Sequence, residues 1–213
     1  MVRLRWSVIA IVLVMFGAGS AQAATVTFDF ESLALGTYTS IVQTVDGLTL
    51  SLARETADPF DITSLAGSAP ASWGNRSISP FIDLSNSAFI ANFSSLLSSF
   101  MISAGDFTPS DLDTLMIQAY SGPNATGSLL ATFSQSCCDT GDGFVSITGS
   151  VAAVNIGSVR FIGGSSDFPN SLFYDNIVVN TSAVTAVPEP ATLFLLGTGL
   201  AAAARARRKR QAL

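Results

Sequence analysis

The sequence of 213 residues contains no histidine. Histidine is a common general base in enzymes and the commonest side chain that binds metals. Its absence excludes a Ser-His-Asp or Cys-His catalytic site and any zinc site that needs a histidine ligand. The site chemistry that remains for this chain relies mainly on carboxylates.

Cysteine is almost as scarce, because the chain has only Cys137 and Cys138, which are adjacent. Neighbouring cysteines cannot join distant parts of a fold, and two thiolates alone make a poor zinc site. The pair could form a disulfide with each other, bond to another chain or stay as thiols, and the sequence leaves these states open. We interpret the pair as a feature of a loop.

Positive charge is rare in the central part of the chain. Seven of the ten Lys and Arg lie in the first five or the last nine residues, which leaves Arg54, Arg76 and Arg160 between residues 24 and 183. The same segment holds fourteen of the fifteen acidic residues, so its net charge is −11. It has no basic surface for phosphates, and we expect no nucleic-acid partner. This acidity suits a soluble exported domain and cation binding, although solubility alone would also explain it.

The N-terminal segment has the pattern of a secretory signal peptide. Arg3 and Arg5 give a positive start, residues 8–16 are all apolar, and Ala21 and Ala23 place small residues where a signal peptidase cleaves. We predict a helical signal peptide over residues 1–23. A membrane anchor is the alternative, but the apolar run is short for a transmembrane helix.

Residues 24–183 show the alternation of half-buried β-strands. In TVTFDFESL, Val26, Phe28 and Phe30 fall on one side of an extended chain, and DGLTLSLA repeats the pattern with leucines. Further stretches, among them AFIANF, SSFMISAGDF, GFVSITG and IGSVRFIGG, predict separate strands. Turn residues separate them, and no convincing amphipathic helix interrupts the series. We predict an all-β domain, an antiparallel β-sandwich or jelly roll of about nine strands.

The segment Glu55–Pro80 is less regular and predicts one long excursion from the sandwich, with three prolines and Trp73. Long loops in compact domains often serve a function. The indole of Trp73 could stack on a sugar ring, so we predict Trp73 as a ligand-binding residue. The alternative is that Trp73 closes one edge of the core.

Two stretches, FDFESL near the mature N-terminus and FYDNIVVN at the end of the domain, resemble the first and last strands of jelly-roll, galactose-binding-like domains. Many carbohydrate-binding modules share that fold. The resemblance implies a structural Ca²⁺ between an acidic residue of the first strand and an Asp of the last, here Glu31 and Asp175. Carboxylates and backbone carbonyls can supply the oxygens that Ca²⁺ needs. Asp139 and Asp142, in DTGDG, are candidates for a second calcium loop.

The C-terminal segment resembles the PEP-CTERM protein-sorting signal, which we place over residues 184–213. The signal has three parts in order, and all are present: a VPEP motif, a short apolar run at residues 191–204 and a basic tail at residues 205–210. The motif is Val187, Pro188, Glu189 and Pro190, and the basic residues are Arg205, Arg207, Arg208, Lys209 and Arg210.

This resemblance implies export in a Gram-negative bacterium and recognition by an exosortase, a membrane protease-transpeptidase. The apolar run is shorter than the ~20 residues that usually span a membrane. We therefore expect a short transmembrane helix that anchors the protein transiently in the inner membrane. The basic tail would stay on the cytoplasmic side, and the two prolines would keep the motif extended and accessible. A plain C-terminal anchor would share this topology.

These features predict an exported, non-enzymatic protein of the cell surface or extracellular matrix that contributes to biofilm structure or binds exopolysaccharide or another glycan. One alternative is an exported hydrolase of polysaccharides, since glycoside hydrolysis needs only two carboxylates. Its candidate acids are Asp58, Asp61, Asp106, Asp111 and Asp113. A self-assembling surface or matrix protein is a further alternative.

Overall fold

The computed structural model describes residues 23–80, 85–107, 111–138, 143–182, 197–200 and 207. The chain divides into two compact units, and the unit Ala23–Ser182 contains eleven strands. The strands are β1 (Thr25–Phe28), β2 (Gly36–Tyr38), β3 (Ser40–Val45), β4 (Leu48–Arg54), β5 (Phe60–Thr63), β6 (Ser77–Ser79), β7 (Phe89–Phe107), β8 (Asp113–Tyr120), β9 (Leu129–Cys137), β10 (Phe144–Gly164) and β11 (Phe173–Thr181).

Every pairing between these strands is antiparallel. The first part of β7 pairs with β4, and the second part of β10 pairs with β8, which in turn pairs with β9. The second part of β7 pairs with β11, and β11 pairs with β1. The strands form two layers that share β7 and β10, so the prediction of an all-β antiparallel sandwich is confirmed.

The structure has eleven strands where the sequence predicts about nine, because β2, β3, β5 and β6 were not foreseen and four predicted strands merge into two. AFIANF and SSFMISAGDF are parts of β7, and GFVSITG and IGSVRFIGG are parts of β10, so four predicted strands are two. The pairing of β7 with β10 shifts register between Ala152 and Ser158, and Asn155 there has a φ of 61°. A bulge of this kind bends a strand without ending it, which periodicity alone does not reveal.

The segment predicted as one long loop also contains strands. β5 pairs with β2 and with β6, and β6 pairs with β11 at Tyr174 and Ile78. These strands have only four and three residues, too short for the alternation to show in the sequence. A single turn of 3-10 helix, Ala71–Trp73, precedes β6.

Aromatic rings fill the centre of the core. The ring of Phe89 lies 5.2 Å from that of Phe60, 5.3 Å from that of Phe161 and 5.5 Å from that of Tyr174, measured between centroids. All four side chains are completely buried. Their burial removes a large apolar area from water, the main favourable term in folding. Tyr174 lies in β11 directly before Asp175, so this core fixes the part of β11 where the first candidate site lies.

Candidate functional site

The pairing of β1 with β11 brings Glu31 and Asp175 to one end of the sandwich. Phe28 is the register partner of Ile177. Glu31 lies three residues beyond Phe28 and Asp175 two residues before Ile177, and in an antiparallel pair these directions point to the same end. The two residues that the jelly-roll resemblance combines are therefore neighbours at one end of the fold.

Backbone groups hold the Glu31 carboxylate in place. Its Oε1 accepts hydrogen bonds from the amides of Asn75, at 2.6 Å, and Arg76, at 2.8 Å. Gly74, just before them, has a φ of 61°, and a Cβ there would collide with the Glu31 carboxylate. The two amides and Gly74 therefore fix the position of the Glu31 carboxylate.

The Asp175 carboxylate is buried and only half satisfied. Its Oδ1 accepts the amide of Asn176 at 2.7 Å, whereas Oδ2 is buried and has no hydrogen-bond partner. Burial raises the pKa of Asp175 to about 8, and the charges of Glu31 and Asp29 also raise it. An orphaned carboxylate oxygen beside a second carboxylate fits a hard cation, because Ca²⁺ takes oxygen ligands. Backbone carbonyls or water would have to supply the remaining ligands.

The backbone is unusual on both sides of this site. Phe30, directly before Glu31, has a φ of 59°, and Asn176, directly after Asp175, has a φ of 50°. The pairing of β11 with β7 also shifts register between Asp175 and Val178. Left-handed non-glycine residues and bulges often occur where a strand must redirect a functional side chain. The Asn176 side chain donates to the carbonyl of Ser72 at 2.9 Å and so links β11 to the loop before β6.

Trp73 directly precedes Gly74 and the two amides that hold Glu31. Only 3% of the residue is exposed, and its ring packs edge-on against that of Phe144, with centroids 4.7 Å apart. This placement matches the alternative in which Trp73 closes an edge of the core. Its role in ligand binding stays a prediction, and stacking on a sugar would require the Trp73 ring to move out of this contact.

A second group of carboxylates lies where β7 ends and β8 begins. One oxygen each of Asp106, Asp111 and Asp113 lies within 4.8 Å of the others, and among the described residues this is the one group of three or more acidic, histidine or cysteine side chains close enough to share a metal ion. These three acids could hold a metal. The sequence places two of them in DLD, but their meeting with Asp106 depends on the connection between the strands.

The environment of Asp113 is the most unfavourable of the three for a charge. Asp113 is completely buried, its Oδ1 accepts the hydroxyl of Ser171 at 3.2 Å, and its Oδ2 has no partner. Burial raises the pKa of Asp113 to about 6, and the charges of Asp106 and Asp111 add to this effect. Burial also raises the pKa of Asp106.

The two other acids considered for hydrolysis are engaged elsewhere. Asp58 Oδ2 accepts the hydroxyls of Thr56 and Ser85, at 2.5 and 2.7 Å, and these bonds lower the pKa of Asp58. Asp61 Oδ1 accepts the hydroxyl of Thr37 at 2.7 Å. Neither residue belongs to the group at Asp113.

Cys137 and Cys138 form a disulfide with each other, which decides among the three states that the sequence left open. Cys137 is the register partner of Asp113 where β9 pairs with β8. The disulfide therefore lies at the same end of β8 as the acidic group. The predicted calcium loop with Asp139 and Asp142 lies outside the described residues.

A polar pocket of about 300 Å³ opens on the face formed by β4 and β7. A salt bridge of 2.7 Å between Glu55 and Arg160 crosses from the end of β4 to β10. Two hydrogen bonds join Asn92 and Asn124. The Asn92 Nδ2 donates to the Asn124 Oδ1 at 2.9 Å, and the backbone amide of Asn124 donates to the Asn92 Oδ1 at 2.7 Å. The pocket is lined by Ser51, Ala53, Arg54, Glu55, Ile90, Asn92 and Asn124. The sequence analysis missed this site, because its residues come from three distant segments.

Most of the predicted terminal features fall outside the described residues, among them residues 1–22 of the predicted signal peptide (1–23), the VPEP motif and most of the basic tail. Residues 197–200 of the apolar run are helical, as is Arg207. Within the described residues, no helix is both long and apolar enough to span a membrane.

The fold has counterparts among solved structures. The CBM22-1 xylan-binding domain of Paenibacillus barcinonensis Xyn10C is 12% identical with a TM-score of 0.43, and the match covers 78% of this chain and all of that domain. The K2 cleaved adhesin domain of Lys-gingipain is 13% identical with a TM-score of 0.43, over 75% of this chain and 99% of that one. At this sequence identity and TM-score, the similarity to these two domains says nothing about the function of this chain.

Comparison of sequences identifies the C-terminal segment but not the body. No curated protein matches the chain. A family described as the PEP-CTERM protein-sorting motif matches residues 186–209, which include the VPEP motif, the apolar run and most of the basic tail. Residues 186–209 of this chain are therefore a PEP-CTERM protein-sorting motif.

Proposed function

We propose that the chain is an exported, non-enzymatic protein of the cell surface or matrix, sorted by an exosortase, whose β-sandwich binds a glycan. The observation that carries the sorting proposal is the motif at residues 186–209, with its proline-rich, apolar and basic parts in order. Basic residues after an apolar segment favour retention of the tail on the cytoplasmic side. The acidic body, at −11, would then be presented outside the cell.

The sorting proposal is tested by mapping the mature C-terminus with mass spectrometry in a host with and without its exosortase. We expect the wild-type surface protein to lack the tail, and we expect Pro188→Ala/Glu189→Gln/Pro190→Ala to keep it. Thr185→Ser, just before the motif, is the matched control and should be processed normally. A wild-type surface protein that still ends at Leu213 would contradict the proposal.

For the glycan site, we propose the polar pocket on β4 and β7. Its volume of about 300 Å³ is at the lower end of the range for small-molecule sites. Amide and carboxylate groups at Asn92, Asn124 and Glu55 offer donors and acceptors for sugar hydroxyls. The salt bridge from Arg160 fixes the Glu55 carboxylate, which lowers the entropy cost of binding.

A glycan array and titration against the host's exopolysaccharide test this site. Ser51→Phe should fill the pocket and abolish binding. Thr132→Phe, which adds the same ring at an exposed site on β9, should leave binding intact. Absence of wild-type binding to every glycan would overturn the function. Loss of binding in folded Trp73→Ala but not in Ser51→Phe would move the site to the predicted Trp73 loop.

A Ca²⁺ between Glu31 and Asp175 completes the proposal. The orphaned Oδ2 of Asp175 and the anchored carboxylate of Glu31 support it. Such an ion would join the first and last strands of the exported body and neutralise part of its negative charge.

A further inference from the structure

Asp106, Asp111 and Asp113 bring three carboxylates together, and few hydrogen-bond donors reach them. Asp113 is completely buried, and its Oδ2 lacks a partner. The Oδ2 of Asp111 is also buried and lacks a partner. Two buried carboxylate oxygens without a hydrogen-bond partner lower the stability of the fold, because a buried carboxylate needs hydrogen bonds or a positive charge beside it.

Within the part of the chain that the structure describes, no salt bridge reaches Asp106, Asp111 or Asp113. Arg160 forms its salt bridge with Glu55. Arg54 is buried and donates to the carbonyls of Ser87, Pro59 and Ser85. For Asp113 itself, the one hydrogen bond that stabilises the carboxylate is the long contact from Ser171.

The spacing of the oxygens selects the kind of cation. An ion bound at about 2.3–2.6 Å from each oxygen, as Ca²⁺ is, holds its ligand oxygens at most about 5 Å apart. The three oxygens here lie within 4.8 Å of one another. Carboxylate-only donors favour hard ions such as Ca²⁺ over zinc or copper, which prefer nitrogen and sulfur.

We propose that Asp106, Asp111 and Asp113 form a Ca²⁺ site that is separate from the one at Glu31 and Asp175. The ion would join Asp106 near the end of β7 to Asp111 and to Asp113, the first residue of β8. Since Asp113 is the register partner of Cys137, it would also secure the end of β8 that carries the disulfide of β9. Ser171, just before β11, donates its hydroxyl to the Asp113 carboxylate and so links β11 to the same site.

The test counts Ca²⁺ ions bound by the full chain in detergent, by equilibrium dialysis with radioactive calcium at neutral pH. We expect two high-affinity ions in the wild type and one in Asp106→Asn/Asp111→Asn, whose changed residues are only half-buried and so disturb the fold little. Glu31→Gln/Asp175→Asn should also lose one ion, but a different one, so that the combination of both variants binds none. Asp167→Asn, an exposed acid, is the matched control and should keep both ions.

Each outcome decides the proposal. Unchanged calcium binding in Asp106→Asn/Asp111→Asn overturns it, and so does a wild type whose only ion is lost in Glu31→Gln/Asp175→Asn. Loss of glycan binding or of sorting bears on the proposed function and leaves this count unaffected. If the double variant fails to fold, Asp111→Glu keeps the charge but moves the oxygens, and we expect at least a tenfold weaker affinity for one ion. Unchanged affinity of both ions in that variant would also overturn the proposal.

Discussion

The two acidic sites differ in what holds their carboxylates. At Glu31, two backbone amides donate hydrogen bonds to the carboxylate. Gly74 lies so close to this carboxylate that a Cβ there would collide with it. At Asp113, the neighbours are two more carboxylates and a single serine hydroxyl. The Glu31 carboxylate can keep its position without an ion, whereas Asp113 has little besides an ion to offset the repulsion of its neighbours. Three measurements can test this difference, and the substitution that should destabilise the fold most comes first.

Trp73→Ala should have the largest effect, because it removes a large buried ring next to the segment that holds Glu31. Replacing a buried Trp by Ala costs roughly 3–5 kcal/mol, and Trp73 is buried against Phe144. Chemical denaturation measures the change in free energy of unfolding. Trp73→Phe is the control and should cost clearly less. A fall of less than ~1 kcal/mol in the free energy of unfolding would contradict a structural role for the Trp73 ring.

Removal of calcium should have the next largest effect. An ion at about one hundred times its dissociation constant stabilises the folded state by ~2.7 kcal/mol. Thermal melting of the full chain in 1 mM CaCl₂ and in excess EDTA measures this shift. We expect Glu31→Gln/Asp175→Asn and Asp106→Asn/Asp111→Asn each to remove part of it. An equal melting temperature in calcium and in EDTA would contradict calcium binding at both sites.

The dependence of stability on pH without metal should distinguish the two buried acids. The pKa of Asp175 is raised from 3.8 to about 8, and that of Asp113 from 3.8 to about 6. A raised pKa in the folded state means that stability is greatest below pH ~4 and falls as the pH rises through the folded pKa. In EDTA we therefore expect stability to fall from pH 4 to pH 8.

Substitution assigns each part of this pH range. Asp113→Asn should remove only the part of the fall between pH 4 and pH 6. Asp175→Asn should remove the part that extends to pH 8. Melting temperatures between pH 4 and pH 9 measure both, and Asp167→Asn should follow the wild type. A curve for Asp175→Asn that still falls between pH 6 and pH 8 would assign that part of the pH dependence to another group.

The sequence analysis was most successful where the signal lies in consecutive residues. Alternation in DGLTLSLA predicted the buried side of β4 correctly, because Leu48, Leu50 and Leu52 are all buried. The pattern failed at Asn155, where a bulge lets β10 continue through a point that looks like a turn. It also missed β5 and β6, since strands of three or four residues give too few positions to show a period.

The sites were less predictable than the fold, for a related reason. Glu31 and Asp175 were paired only through the resemblance of two strands, and the role of that pair remains a proposal. Asp106 and Asp113 were named as separate acids, with no sign that they meet. The open question about Cys137 and Cys138 needed coordinates, because adjacent thiols can take more than one state.

By itself, the sequence determined the absence of histidine chemistry, the acidic body and the sorting motif at residues 186–209, because each depends only on which residues are present or on their order along the chain. The tertiary structure decided which carboxylates share a space and which oxygens lose their water. Burial of Asp113 and Asp175 results from strand pairings between residues far apart in the chain. Desolvation depends on these long-range contacts, and it turns two of many acidic residues into candidate cation ligands.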